Sequence, residues 1–362
     1  MRILRSLDEI TWRSFVSEHP LGNIFHSPEM FQVFARAKGH DPLLWATVDE
    51  NARPLALLFP VQITLFPGPM RSLSTRAIVY GSVLYETSPK GEEALEFLLR
   101  SYAQETKGVL FTEMRNLTDL CQIQPMLQAC GFRYEEQLNY LIRLDRPAEE
   151  VLQNIGQRTR KRIRHALRKG ELVIKEVERR GELSLFYDLV SRSYAAARVP
   201  LAHRSLFEAA FDLLYPKGMV KFLLAWIGQD CVAASAELIY KDMIFGWYSG
   251  VDRCFSSYAP NELLMWHILE WGANNGYRVY DFGGAGRSYE KYGVRDFKAK
   301  FGGDLVSYGR NAFVHSPRIL AISKIGYQAY RRLARMRPQS PERGPLEDVN
   351  SLKGEVLETS KT

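Results

Sequence analysis

Two stretches of this chain repeat one pattern, and that repeat narrows the folds open to it. FLLRSYAQETKGVLFTEM (97–114) and LLMWHILEWGANNGYRVYDF (263–282) each run an amphipathic helix into a glycine and then into a short buried strand. An apolar hairpin precedes each. One is LLWATVDENARPLALLFPVQITLF (43–66), broken at Asp49-Glu50-Asn51; the other spans 220–240, broken at Gly228-Gln229-Asp230. Antiparallel strands followed by a helical crossover to a further strand require a mixed sheet flanked by helices. Two such units fit a chain of 362 residues at roughly 150 residues each. The halves share this architecture and little sequence.

The rest of the chain fills in around the repeat. Helical spacing covers 8–18 and 27–38, the second started by His26-Ser27-Pro28, and also 89–106 and 118–129. Strands fit Arg76 to Leu84, Gly108 to Met114, and 132–144 as one run. The stretch from Arg146 reads as helical throughout until Gly170 stops it. A strand at 171–178, helices at 182–197 and 204–214, and three strands over 220–252 follow. Then come a helix from Pro260 to Asn275, the strand 277–282, a glycine-rich loop, and one last strand near 304–314. These give an α/β (α+β) chain with an N-terminal domain at 1–147, a C-terminal domain at 148–315 holding the main cleft, a basic helix at 316–335, and a disordered tail at 336–362.

Composition enters where partners are concerned. A net charge of +7 favours anionic partners such as nucleotides, phosphates, tRNA or anionic lipid, without choosing among them. No H-E-x-x-H occurs, and Cys121, Cys130, Cys231 and Cys254 have no metal-site or redox-pair spacing. No metal is expected, and the cysteines read as buried thiols in a reducing compartment. Neither a signal peptide nor a long apolar span is evident, which places the chain in the cytoplasm, with the inner face of the membrane as a further place of contact.

Three stretches in the second half occur together in a familiar order. The first is Arg160, Ile163, Arg164, Ala166 and Gly170, spaced R-x-x-I-R-x-A-x-x-x-G. The second is Tyr248-Ser249-Gly250, then Pro260-Asn261, then Tyr280-Asp281-Phe282-Gly283-Gly284. The third is Gly293 followed by Phe297-Lys298-Ala299-Lys300-Phe301-Gly302. The opening, with His19-Pro20, Ile24-Phe25-His26-Ser27-Pro28 and Gly39-His40, fits the same likeness, which covers about residues 5–315. In this order and spacing the chain resembles the FemAB-like family, the peptidoglycan interpeptide-bridge aminoacyltransferases and their N-acetyltransferase-fold relatives. The resemblance implies two tandem GNAT-like (N-acetyltransferase) domains with the active cleft mainly in the second. It also implies an acyl donor and an amine-bearing envelope precursor or polysaccharide. No cofactor is expected to be bound permanently; the co-substrate is aminoacyl-tRNA or acyl-CoA. The chain lacks the long helical insertion with which some bridge enzymes hold tRNA, and Cys254 to Ala259 stand where a CoA-binding loop would have glycines. The donor therefore stays open.

Aminolysis of an ester or thioester needs a proton acceptor, a polarised carbonyl and a grip on anionic substrates. Asp281 ends a buried strand and is the candidate base, or else a turn aspartate satisfied by backbone N–H groups. Lys298 and Lys300, read as an extended segment, point the same way toward phosphate; the resemblance carries that role to one or the other. Lys300 and Tyr248 join Asp281 as catalytic candidates, and Tyr248, Tyr289 and Tyr292 line the cleft or simply pack. Gly283 and Gly284, with Gly286, form a loop fit for a substrate or for a tight turn, and Asn261 is a further substrate contact. Arg160 and Arg164 belong to a dense basic run, 158–169, suited to phosphates or else paired to acids of the first domain. The competing reading is a non-catalytic binding module with degenerate domains, holding nucleic acid or anionic membrane through that helix.

Overall fold

Local side-chain chemistry starts the helices where the sequence places them. Asp8 Oδ2 accepts the Thr11 N–H at 3.0 Å, Ser27 Oγ the Met30 N–H at 3.1 Å, and Ser88 Oγ the Gly91 N–H at 3.1 Å. Pro28 and Pro89 follow the two serines in the first helical turn, where a missing N–H costs nothing. The computed structural model describes residues 1–64 and 68–323. Its elements begin with β1 (Arg2–Leu4), α1 (Glu9–Glu18), α2 (Pro28–Arg36), β2 (His40–Pro42), β3 (Trp45–Val48), β4 (Pro54–Leu58) and β5 (Pro60–Thr64). β6 (Thr75–Tyr80), β7 (Leu84–Tyr85), α3 (Pro89–Glu105), β8 (Phe111–Arg115), α4 (Gln124–Ala129) and β9 (Arg133–Glu135) complete the first half. Then follow β10 (Leu138–Arg143), α5 (Ala148–Asn154), α6 (Gln157–Lys169), β11 (Leu172–Glu176), α7 (Leu183–Ala197), α8 (Arg204–Leu214), β12 (Val220–Ile227) and β13 (Asp230–Tyr240). β14 (Met243–Val251), α9 (Pro260–Asn274), β15 (Val279–Gly284), α10 (Gly293–Ala299), β16 (Asp304–Ser307) and β17 (Arg310–Val314) close the described fold.

The repeat seen in the sequence is real in three dimensions. In the first half α3 precedes β8, which pairs in parallel with β6; in the second, α9 joins β14 to its parallel neighbour β15. The first half holds a six-stranded sheet, β2-β5-β6-β8-β17-β9, beside a four-stranded one, β1-β3-β4-β7. The second holds a seven-stranded sheet, β11-β12-β13-β14-β15-β10-β16.

These strand orders correct two expectations. The runs 132–144 and 304–314 are not single strands. Each breaks in the middle and sends its two pieces into different sheets: β9 and β17 to the first, β10 and β16 to the second. The breaks meet, with the Gly309 N–H donating to the Gln137 carbonyl at 3.1 Å. Gly309 has φ of 69° and lies against the Tyr134 ring, leaving no room for a side chain. A boundary at 147 therefore divides the chain but not the sheets, since β10 lies before it and β17 far after it. Buried polar contacts fix β17 in place. Arg310 pairs with Glu113 at 3.2 Å, and Asn311 accepts from Asn116 at 2.9 Å and donates to Gln124 at 2.7 Å.

One apolar core is shared by both halves: Trp12, Phe25, Phe34 and Phe59 join Phe186, Phe207 and Phe222. Around it Lys217 pairs with Glu29 at 2.8 Å, and Lys241 donates to the His19 carbonyl at 2.6 Å. The helix expected without interruption from Arg146 to Gly170 is broken at Ile155-Gly156, where Ile155 is extended and the Gly156 N–H donates to the Lys300 carbonyl at 2.9 Å. Gly170 does end α6, in the left-handed conformation. Cys121 and Cys254 are exposed rather than buried, and all four cysteines are free. A last helix begins at 317, and Leu320 packs there against Leu110 and Phe111 of the first half. Its expected continuation to 335 and the tail lie outside the described residues.

The exchanged strands make a direct prediction. Separately expressed fragments 1–147 and 148–362 each lack an interior strand of a sheet, so neither should unfold cooperatively alone. Co-expressed, they should recover the circular dichroism and single transition of the intact chain. A cooperative fragment 1–147 would show that β17 is dispensable to the first sheet.

Candidate active site

The second sheet opens at one point. β14 and β15 pair in parallel only from Met243–Phe245 to Val279–Asp281. Beyond that, β14 continues along β13 to Val251, while β15 continues along β10 to Gly284. The strands part at Asp281, leaving facing edges without a ladder between them.

Asp281 is wholly buried. Its Oδ1 accepts the Gly283 N–H at 2.6 Å and the Asn139 Nδ2 at 3.4 Å, while Oδ2 has no hydrogen-bond partner among the described residues. Burial pushes its carboxyl up to about 6, against the opposing pull of the Gly283 N–H, the Lys298 charge and Asn139. Lys298 is buried as well. Its Nζ donates to the carbonyls of Phe282 at 2.5 Å, Gly283 at 3.2 Å and Gly284 at 2.8 Å. Burial lowers its ammonium to about 8, and Asp281 opposes that shift. Gly283, at φ of 70°, makes the turn that brings these carbonyls together. The result is a carboxylate and an ammonium on either side of one tight loop, with one carboxylate oxygen left over.

The paired-lysine expectation is corrected here. Residues 293–299 are helical, not extended, and positions two apart on a helix point roughly 200° away from each other. Lys298 turns inward and its three donor bonds go to carbonyls, so it is a strut of the loop rather than a phosphate ligand. Lys300 is exposed, with its Nζ 5.9 Å from the Phe297 ring centre.

Of the other expected site residues, Gly284 and Tyr292 belong to this neighbourhood. The Tyr292 ring lies over Gly286, where a Cβ would come within 3.0 Å of it. Tyr248 does not join them. It lies three residues past the last β14–β15 pair, with Phe207 edge-on at 4.8 Å and Tyr194 and Trp247 alongside. Asn261 is in the first turn of α9 and makes no side-chain hydrogen bond among the described residues. Arg160 donates to the Gln153 carbonyl and Arg164 pairs with Glu149 at 2.8 Å. Arg162 reaches Glu262 at 2.5 Å, so the acids that α6 meets belong to the second half, not the first. Arg158, Lys161 and Arg168 have no acid partner among the described residues.

Sequence reading did not single out Asn139 or Glu237, and took Tyr280 only as part of the stretch 280–284. Each carried a signal, as a polar group inside an apolar run: Leu138-Asn139 opening β10, Ala236-Glu237-Leu238 in β13, Val279-Tyr280 in β15. A run of that kind shows that a polar group is buried but not what it meets.

Residues 154–298 match the family described as the acetyltransferase (GNAT) domain. No protein of curated function matches the chain by sequence. Among solved structures, FemX is similar at TM-score 0.68 and 16% identity, over 91% of this chain and 99% of that one. L-PGS from Bacillus licheniformis is similar at TM-score 0.55 and 12% identity, over 90% and 98%. A tandem GNAT protein from the clavulanic acid biosynthesis pathway is similar at TM-score 0.55 and 10% identity, over 87% and 99%. At these identities the structures establish the fold alone: an α/β chain of two GNAT-like units.

Two predictions follow from the buried pair. The Asp281 carboxyl is higher in the folded protein than in the unfolded chain, so folding carries a cost that is absent at low pH and grows as pH rises from 3.8 through about 6. Asp281→Asn should therefore gain stability over the parent between pH 4 and pH 8, by on the order of 2–3 kcal/mol in urea unfolding. A pH-independent difference would mean that the carboxyl is not desolvated. Lys298→Met should cost on the order of 3 kcal/mol, because three carbonyls lose their donor, while Lys300→Met should stay within about 0.5 kcal/mol. Equal effects of the two substitutions would contradict the placement of Lys298.

Proposed function

We propose that this chain, FemAB-like in fold with a GNAT domain over residues 154–298, transfers an acyl or aminoacyl group from an activated donor to an amine of a cell-envelope precursor or polysaccharide. The observation that carries the reading is the unpartnered Oδ2 of Asp281 at the point where β14 and β15 part. An ammonium must give up a proton to become a nucleophile, and the attacking amine gives up another as the amide forms; a carboxyl held near 6 is mostly ionised at neutral pH yet more basic than an ordinary aspartate. In the transfer, the amine nitrogen bonds to the acyl carbon and its proton passes to Asp281. The carbon–oxygen bond of an ester donor, or the carbon–sulfur bond of a thioester, then breaks, and the leaving oxygen or sulfur takes up the proton that Asp281 received. Lys298 keeps the loop 282–284 fixed while this happens and balances the Asp281 charge.

Aminoacyl-tRNA and acyl-CoA both remain donors under this proposal, and both carry phosphates that the exposed cations of α6, with Arg160 and Arg164 beside them, can meet. The same cations support the second reading, a binding module without catalysis. No described helix is long and apolar enough to cross a membrane.

The test offers the protein labelled acetyl-CoA and labelled aminoacyl-tRNA in turn, with amine-bearing envelope precursors and deacetylated polysaccharide as acceptors. Mass spectrometry should find an amide-linked product with one donor, and Asp281→Asn should lower kcat by about a hundredfold or more. Undiminished turnover in that variant would remove Asp281 as the base. Absence of product with every donor, together with salt-sensitive RNA or vesicle binding abolished by reversing the charges of Arg158, Lys161 and Arg168, would establish the binding module instead.

A further inference from the structure

Next to Asp281 lies a second buried acid that this chemistry does not use. Glu237 of β13 and Tyr280 of β15 are each about 1% exposed, and the Tyr280 hydroxyl donates to Glu237 Oε2 at 3.0 Å. The strand between them is β14, so the bond skips a strand. It can do so because the β14 residue opposite Glu237 is Gly246, and a Cβ there would stand 2.5 Å from the Tyr280 hydroxyl oxygen. Gly246 has a negative φ, so its backbone would tolerate any residue; what excludes a side chain is the hydroxyl. The β13–β14 register shifts at this level, between Ala236 and Glu237. One residue earlier on β14, Phe245 makes the last pair with Asp281. The bond therefore ties β13 to β15 at the height where β14 and β15 separate, and Tyr280 is the chain neighbour of Asp281.

We propose that the Tyr280–Glu237 hydrogen bond across Gly246 is a positioning element for Asp281, one that sets how far β14 and β15 part and where the Asp281 carboxylate lies between them. This rests on the reading of that opening as the reaction site. The surroundings argue against simple packing. Tyr280 belongs to the apolar core beneath α9, with Ile244, Leu263, Trp266 and Phe282, where an apolar pair of the same volume would serve stability as well or better. No cation is among the groups acting on Glu237, and burial pushes its carboxyl up to about 7. A costly polar pair kept beside the candidate base, and made possible by a glycine, is the local conflict expected where geometry matters more than stability.

The test uses the full chain and needs no substrate. Asp281 is followed by carbon NMR of protein labelled at the aspartate carboxyls, its signal assigned by loss in Asp281→Asn. Tyr280→Phe removes the hydroxyl that donates to buried Glu237 and should lower Tm. The double variant Tyr280→Phe with Glu237→Met replaces both groups by apolar ones and should restore Tm. Its Asp281 midpoint should nevertheless move by at least about half a pH unit, which a merely structural role would not produce. Glu237→Gln keeps an acceptor for the hydroxyl and should leave the midpoint within about 0.2 of the parent. A stable double variant with an unmoved Asp281 midpoint would overturn the proposal. If the double variant does not fold, Gly246→Ala asks the same question with both groups present: its Cβ displaces the hydroxyl, and an unchanged midpoint would again overturn it. In the transfer assay the double variant should lose at least about tenfold in kcat with KM for the acceptor nearly unchanged. Should Asp281→Asn keep full turnover while these midpoints shift as expected, the assignment of the base fails and the positioning claim stands.

Discussion

The ladder between β10 and β15 is the contact on which the candidate site depends. β10 comes from the first half of the chain, yet it is the strand that accompanies β15 once β14 has left it. It brings Asn139 to the Asp281 carboxylate and keeps the far side of β15 paired while the near side opens. Without it, β15 would be left without a partner on either side beyond Asp281. The mirror contact, β17 between β8 and β9, closes the first sheet and is secured by Glu113, Asn116, Gln124 and Asn311.

The two halves use one frame for opposite electrostatics. In the first, the parallel pair β6 and β8 ends at Tyr80 and Arg115, as β14 and β15 end at Phe245 and Asp281. Where the second half places an acid with a free oxygen, the first places a guanidinium over the Tyr80 ring, 2.8 Å from Glu113. Glu113 is fully engaged: burial raises its carboxyl, but Arg310, Arg115 and Arg76 more than offset this and hold it down near 2. A carboxylate so satisfied has no capacity left for a proton in transit. The two halves thus differ in charge where their parallel pairs end.

Most of the frame could be read from sequence because it depends on local periodicity and capping. Pro28, Pro89, Gly170 and Pro260 mark their helices, and the hairpins around 228–230 and 241–242 fall where the turn residues stand. What failed was information that strand pattern does not contain. Leu138 to Arg143 is strand-like in composition, and nothing in it says which sheet it will join. The two lysines of Phe297 to Phe301 illustrate the same limit at the scale of one turn. An extended segment points both outward together, a helix sends one in and one out, and Phe297 and Phe301, four apart and 5.2 Å between ring centres, were the helical signal. Glu237 stood out as a charge in an apolar strand, but its meaning required knowing that Gly246 lies opposite.

The strand exchange also sets an order of events during synthesis. β8 and β9 leave the ribosome early, but β17, which must lie between them, follows roughly 200 residues later, a delay of about 10–40 s at ordinary translation rates. Throughout that interval the nascent first sheet carries a vacant slot bordered by two unpaired strand edges, the kind of edge that recruits strands from other chains. Glu113, Asn116 and Gln124 border that slot, and their charge and hydrogen-bonding groups make it a poor fit for an apolar intruder while they wait for Arg310 and Asn311. The residues that hold β17 in the finished protein thus guard its place on the polysome until that strand is made.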